Sequence, residues 1–388
     1  MITPEVARER AAALVAPLAD RAERCEAERR CPDETLNELY DTGLMQIMQP
    51  QSYGGSELSI DTVADVAMVL AGACASTAWV WMNLATHSWN IGQFSREAQE
   101  DVWGSDPRAV AATGLQYPCG RARRVSGGFR LTGRWPFASG VDAAHWMIAG
   151  AQIEGTSERL MLLVPKKDFE NLRNWQAFGL AGTGSHDVTI NDVFVPDHRT
   201  VPPELLAAGR EAPGAFINGS PVYRLPAYSA FGFGLAAIPL GAARAALDRF
   251  SGGARSRATT SSASRVAELA PVQLRLAEAS ASMSFAEIGY WSNLRELVAM
   301  TKADNLINND VKLRWKRDIA FAVSLSRRCL DTLITASGGN ALSTTTPLQR
   351  SFRDVVAASS HIGLSWDVQA LLYGRHALGM PLGNDLLI

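Results

Sequence analysis

"GRWPFASGVDAAHWMIAG" spans residues Gly133–Gly150. In it Trp135 and Phe137 flank Pro136, a small-residue turn of Ala138, Ser139 and Gly140 follows, and then comes an apolar run that carries His145. Aromatic residues around a turn signal read as β-structure. A strand that ends on a hydroxyl and bare backbone has two readings. One is a tight turn between strands; the other is a seat for a flat aromatic cofactor. The flanking sequence decides between them.

Upstream, residues 5 to 105 read as helix. Pro32-Asp33-Glu34 opens a segment with Leu36, Leu39, Tyr40 and Leu44 at helical spacing. "QPQSYGGSE" is a loop by its Gly, Ser and Pro content, and two helical runs follow, Ile60–Ala73 and Thr77–Gly92. The second holds Trp79, Trp81, Met82 and His87. Near Ala109 the period changes. "AVAATGL", "RRVSGGFRLTGRW", "HWMIAGAQI", "RLMLLVP" and "DVTINDVFVP" alternate or run apolar between Gly-rich turns, and Val125–Phe129 reads as a hairpin. After Pro221 the helical period returns, with runs at Ala227–Arg249, Ser262–Ala299, Lys302–Ser337 and Pro347–Leu378, lengths that suit a bundle. The expectation is an α+β multi-domain chain: a helical domain over 1–107, a β-domain over 108–220 and a four-helix bundle over 221–388. Such a junction of bundle and β-domain favours a ligand cleft.

Composition narrows the function classes. The chain has 388 residues, 47% hydrophobic and 20% charged, which is globular and ample for a large core. A net charge of -2, from 37 basic and 39 acidic residues, argues against a general nucleic-acid surface and gives no reason to expect anionic membrane binding. The five cysteines show no CxxC spacing, so a disulfide framework or zinc site is not expected, and His and acidic residues lack metal-binding spacing. The amphipathic N-terminus lacks a signal-peptide core, and the apolar stretch Phe231–Leu240 is too short to span a bilayer. The expected location is the cytoplasm, where the sequon at Asn218-Gly219-Ser220 would stay unglycosylated.

The order helical, β, helical resembles the acyl-CoA dehydrogenase fold, and the resemblance runs along essentially the whole chain. "GFRLTGRWPFASG" looks like that family's first flavin-contacting strand and turn. "GLAGTGSHDVTINDVFVP" looks like its second, with Thr183, Gly184 and Ser185 at the flavin. "SGGNALSTTTPLQRSFRD" resembles the late glycine pair, Gly338 and Gly339, and the following helix start. The resemblance implies a β-barrel-like central domain. Dehydrogenases of this fold need a carboxylate base. One family position falls near Ile362, where this chain reads "AASSHIGLSW" with no acid between Asp354 and Asp367. The other lies on the first long helix of the bundle, "AYSAFGFGLAAIPLGAAR", again without Asp or Glu. His361 stands where the flavin-dependent monooxygenases of this fold carry a His, and the chain is most similar to the oxygenase components of two-component aromatic hydroxylases.

That resemblance implies reduced FMN or FAD as cofactor, reaction with O2, and a flavin C4a-hydroperoxide that hydroxylates an aromatic or polycyclic small molecule. It implies a dry pocket and a hydrogen bond near flavin N5. Ser139 is the candidate for that bond, Trp135 and Phe137 for apolar walls, and Ala138 for the turn itself. His361, with an ordinary pKa of about 6.5, is the candidate proton manager, and His87 the second candidate, orienting substrate. Arg255, Arg257 and Arg265 border a Ser/Thr-rich stretch, and Arg257 is assigned the flavin phosphate by resemblance. "GFGLAA" from Gly232 matches a dinucleotide fingerprint, but it lies in a helical run with no preceding strand, so it is set aside. A separate NAD(P)H-dependent reductase is then expected to supply the flavin, and the fold implies a homotetramer. Three alternatives stay open: a dehydrogenase with a displaced base, an N- or S-oxygenating monooxygenase, and a catalytically silent flavin-fold binding protein.

Overall fold

The structure is a computed structural model and describes residues 1–256 and 265–382. Its N-terminal helices are α1 (Pro4–Glu28), α2 (Asp33–Asp41), α3 (Ile60–Ala73), α4 (Ala75–Ile91) and α5 (Arg96–Trp103). Helix α1 starts where Thr3 accepts a hydrogen bond from the Val6 amide, with Pro4 in its first turn. Its Ala7, Ala11, Leu14, Leu18, Ala22 and Cys25 recur at helical spacing, form its buried stripe, and pack towards α3.

The strands are β1 (Ala111–Gly114), β2 (Gly120–Val125), β3 (Gly128–Ala138), β4 (Trp146–Ile153), β5 (Arg159–Pro165), β6 (Glu170–Asn171), β7 (His186–Pro196) and β8 (Thr200–Val201). Among the described residues they form one sheet in the order β6-β7-β3-β2-β4-β5-β8. The second edge of β4 is shared: β1 pairs with its first half and β2 with its last residues, both parallel. The expected hairpin is present, β2 against β3, with Gly127 at φ 76 in the two-residue turn. Three strands separate β5 from β7 in the sheet, yet Leu160, Leu162 and Val164 share a core with Val188, Ile190 and Val195. The sheet therefore curls round a common interior, in agreement with a barrel-like domain.

Short helices α6 (Pro203–Ala208) and α7 (Pro213–Ile217) follow the last strand. Then come α8 (Ala227–Ser256), α9 (Ala270–Lys302), α10 (Asn309–Ser337), α11 (Pro347–Ser359) and α12 (Trp366–Ala377). Two sequence expectations need correction here. The apolar stretch at Phe231–Leu240 belongs to a helix that is long and apolar enough to cross a membrane, but most of that window is buried as the helix about which the bundle packs. The run Pro347–Leu378 is two helices. Ser359 and Ser360 both donate their hydroxyls to the Val356 carbonyl, at 2.8 and 3.1 Å. The amides of Ser360 and His361 then bond to the third residue back, and the helix tightens and stops. His361 consequently sits in a turn, not on a helix face.

Candidate active site

Strand β3 carries the stretch quoted first. Alternation places Trp135 and Phe137 on one face of a regular strand. The pairing of β3 with β7 is irregular between Trp135 and Ala138, and Phe137 takes φ 63, an unusual backbone conformation for an aromatic residue. The bulge separates the two rings. Trp135 is 0% exposed in the sheet core and donates its Nε1–H to the Gly150 carbonyl at 2.7 Å. A Cβ at Gly120 would come within 2.6 Å of its ring, so the neighbouring strand needs bare backbone there. Trp135 therefore braces the sheet and is not a wall of the cleft, which corrects that expectation. Phe137 is 61% exposed, edge-on to Trp175 at 6.1 Å. Ala138 has its side chain buried in the core.

Ser139 lies next, half-buried. The Trp79 indole Nε1–H donates to its Oγ at 3.0 Å. Ser139 Oγ is 2.8 Å from Ser185 Oγ, and Ser185 Oγ is 2.7 Å from Thr183 Oγ1. Thr183 in turn donates to the Leu180 carbonyl at 2.8 Å. The Gly140 amide donates to the Thr183 carbonyl, joining the two motifs along the backbone. Thr183 is 1% and Ser185 5% exposed, so their hydroxyls lie behind Ser139. Gly184 between them is left-handed at φ 53, and a Cβ there would meet Asp142 Oδ2 at 2.5 Å.

This loop is held from the bundle. Asp354 accepts the Leu180 amide at 2.7 Å, and Leu180 itself is left-handed at φ 49. Burial pushes the Asp354 carboxyl up to about 7, against the lowering effect of that amide. Arg353 pairs with Glu26 of α1, so the helix after the late glycines ties the N-terminal domain to the loop.

His361 reaches the same place. Its ring lies edge-on to Trp79, centroids 5.7 Å apart, so one indole links it with Ser139. His361 is exposed, and desolvation by the protein packed around its ring pushes its pKa down to about 4. A pKa lowered in this way favours the neutral ring at neutral pH. Its Nδ1 accepts the Gly363 amide at 3.1 Å, which leaves the proton on Nε2. His87 is also neutral, its pKa pushed down to about 4 by burial. Its Nδ1 donates to the Ala111 carbonyl at 2.8 Å, and Nε2 lies 3.2 Å from the Thr113 hydroxyl. The remaining histidines are structural: His145 accepts the Val110 amide, His186 the Trp175 amide, His198 meets Asp101 and His376 meets Asp310.

Two expected contributors stand elsewhere. Gly338 and Gly339 close α10, beside a cavity of about 200 Å³ lined by Arg249, Phe250, Asn340 and Pro347 among others; none of its lining residues belongs to the Ser139 group. Arg257 lies outside the described residues. Trp79 is the residue that sequence reasoning left unassigned. Its signal was its place on the Trp-rich helix that also bears His87.

The donor set suits a flavin. An exposed aromatic ring, a reachable hydroxyl and a neutral imidazole meet at a junction of sheet and helices, and among the described residues no group of three or more His, Cys, Asp or Glu could hold a metal ion. Residues 3–106 match the acyl-CoA dehydrogenase N-terminal domain family and residues 233–366 the C-terminal domain family. The chain is 33% identical to the pigment production hydroxylase of Rhodococcus sp. (strain ATCC 21145), over 100% of both chains. It is 31% identical to the oxygenase component of p-hydroxyphenylacetate 3-hydroxylase from Acinetobacter baumannii, covering 94% of this chain and 86% of that one. The structure of XiaF from Streptomyces sp. in complex with FADH2 and glycerol superposes with a TM-score of 0.91 at 30% identity, over 98% of this chain and 97% of that one. By these relationships the chain belongs to the oxygenase components of flavin-dependent monooxygenases, built on the acyl-CoA dehydrogenase fold.

Proposed function

We propose that this monooxygenase takes reduced FMN or FAD from a separate NAD(P)H-dependent reductase and hydroxylates an aromatic or polycyclic small molecule with O2. One observation carries the reading. Trp79 joins the Ser139 hydroxyl and His361, beside the position that the resemblance gives to a dehydrogenase's carboxylate. When bound, reduced flavin supplies the electrons that activate O2. Phe137 would provide an apolar wall for the flavin, and Ser139 would hold a hydrogen bond to it. Thr183, Gly184 and Ser185 support Ser139 from behind. His361, whose Nδ1 accepts the Gly363 amide, would offer Nε2–H as a hydrogen-bond donor rather than a base. His87 and Thr113 orient a substrate hydroxyl. The p-hydroxyphenylacetate hydroxylase relative supports an aromatic substrate and, as an oxygenase component, a separate reductase.

The domains proposed are 1–107, 108–220 and 221–388, and the five free cysteines accord with a reducing cytoplasm. The assembly proposed is a homotetramer. Leu274, Phe285 and Ile288 on α9 are more than two-thirds exposed, an apolar surface suited to another subunit. The separation of Gly338 and Gly339 from Ser139 supports a site completed by a neighbouring copy, and Arg257 keeps the flavin phosphate as its proposed partner. Light scattering at micromolar concentration tests the tetramer; a monomeric mass overturns it. The activity is tested with a supplied reductase, NADH, 18O2 and a panel of phenols. Product carrying one labelled oxygen supports it. Reductant consumption yielding only hydrogen peroxide across the panel counts against it.

A further inference from the structure

We infer that Ser185 and Thr183 set the direction of the Ser139 hydroxyl so that the site selects reduced over oxidised flavin; this rests on the flavin reading above. The argument is a count of protons along a chain of oxygens. A carbonyl oxygen has no proton, so the 2.8 Å contact between Thr183 Oγ1 and the Leu180 carbonyl uses the Thr183 proton. Thr183 can then only accept from Ser185, at 2.7 Å. The Ser185 proton is committed there, so Ser185 accepts from Ser139, at 2.8 Å. At the other end, the Trp79 indole nitrogen is a donor only and occupies one lone pair of Ser139. Each hydroxyl proton in the chain points towards Leu180.

Ser139 is left with one lone pair and no free proton, on a half-buried side chain. It is an acceptor. Reduced flavin carries a proton on N5 and is a donor there; oxidised flavin has a lone pair on N5. The first meets a partner, and the second meets an oxygen lone pair. The selection comes from Ser185 and Thr183, which are nearly covered and act through Ser139. They are positioning residues. The chain is anchored where the bundle holds Leu180, because Asp354 fixes that residue's amide.

The test compares dissociation constants of oxidised flavin with those of dithionite-reduced flavin under argon. It uses the wild type, Ser185→Ala and Thr183→Val. The wild type is expected to prefer the reduced form. Ser185→Ala removes the acceptor for the Ser139 proton, and Thr183→Val frees the Ser185 proton to turn towards Ser139. In either variant Ser139 can donate outward, and the preference is expected to fall about tenfold, equivalent to a drop of about 30 mV in the two-electron potential of bound flavin. A lost packing contact alone would weaken both forms together and leave the ratio unchanged. If Ser185→Ala does not fold, Thr183→Val, close in shape to the original, decides. An unchanged ratio in a variant that binds flavin overturns the inference and leaves the flavin reading intact, as does a wild type that binds both forms equally. A wild type that binds neither form overturns both.

Discussion

Trp135 and Phe137 are two residues apart on one strand and have opposite environments. Trp135 is fully buried, with its one polar atom bonded to Gly150. Phe137 is exposed on a left-handed backbone, beside a hydroxyl chain that runs to the bundle. The inner part of β3 is built for stability: apolar area is covered and the polar atom is matched. Its end departs from both rules. Strained backbone and uncovered aromatic surface are disfavoured in isolation and persist only where surrounding contacts hold them. Here the Gly140 amide on Thr183 and the Asp354 carboxyl on Leu180 do so.

The contrast makes graded demands. Trp135→Ala should lower stability by about 3–5 kcal/mol through the cavity it leaves, measured by denaturant unfolding; a loss below 1 kcal/mol would mean that the inner strand is not the rigid half. Next is Asp354→Asn. Folded, Asp354 keeps its proton up to about 7, against an ordinary 3.8. Its contribution to stability is therefore complete below the lower value and is lost as pH rises through the higher one. Asn has no such proton, so the variant should gain on the wild type by about 2–3 kcal/mol between pH 5 and pH 8, at about 1.4 kcal/mol per pH unit up to 7. Thermal melts at the two pH values check the sign, and a gap that closes in the other direction would show an ionised native carboxyl.

His361→Ala should still oxidise reduced flavin but release peroxide in place of product, with coupling down about tenfold, the equivalent of about 1.4 kcal/mol at the barrier. Because the ring is neutral, wild-type coupling should be flat from pH 6 to pH 8. A titration centred near 6.5 would contradict the lowered pKa. The smallest effect belongs to Phe137→Gly. Removing the side chain from a left-handed backbone relieves about 1 kcal/mol of strain, while flavin affinity falls. Equal loss of stability and affinity would place Phe137 with Trp135 as a packing residue.

The large-scale order was legible because period reports burial directly. The helices Ile60–Ala73 and Ala75–Ile91 and the strand Arg159–Pro165 stand almost where alternation and helical spacing put them. Ser139 and His361 could be picked out because each lies in a recognisable stretch. What was not legible involves a change of direction or a distant partner. Nothing in "RWPFAS" announces a bulge, so the resemblance assigned both rings to the flavin. The break before His361 arises from two serines competing for one carbonyl, and the bundle pattern continues across it. Trp79 meets Ser139 across 60 positions, and no local pattern carries such a pairing.

The Leu180 amide waits for a partner 174 positions further along the chain. At about 5–20 residues per second on the ribosome, that is a delay of roughly 10–35 s. During it the sheet strands have all emerged, while the turn that orders Thr183 and Ser185 lacks its clamp. A nascent chain can thus form its β-domain early, while this part of the proposed site gains its last contact only when α11 has been made.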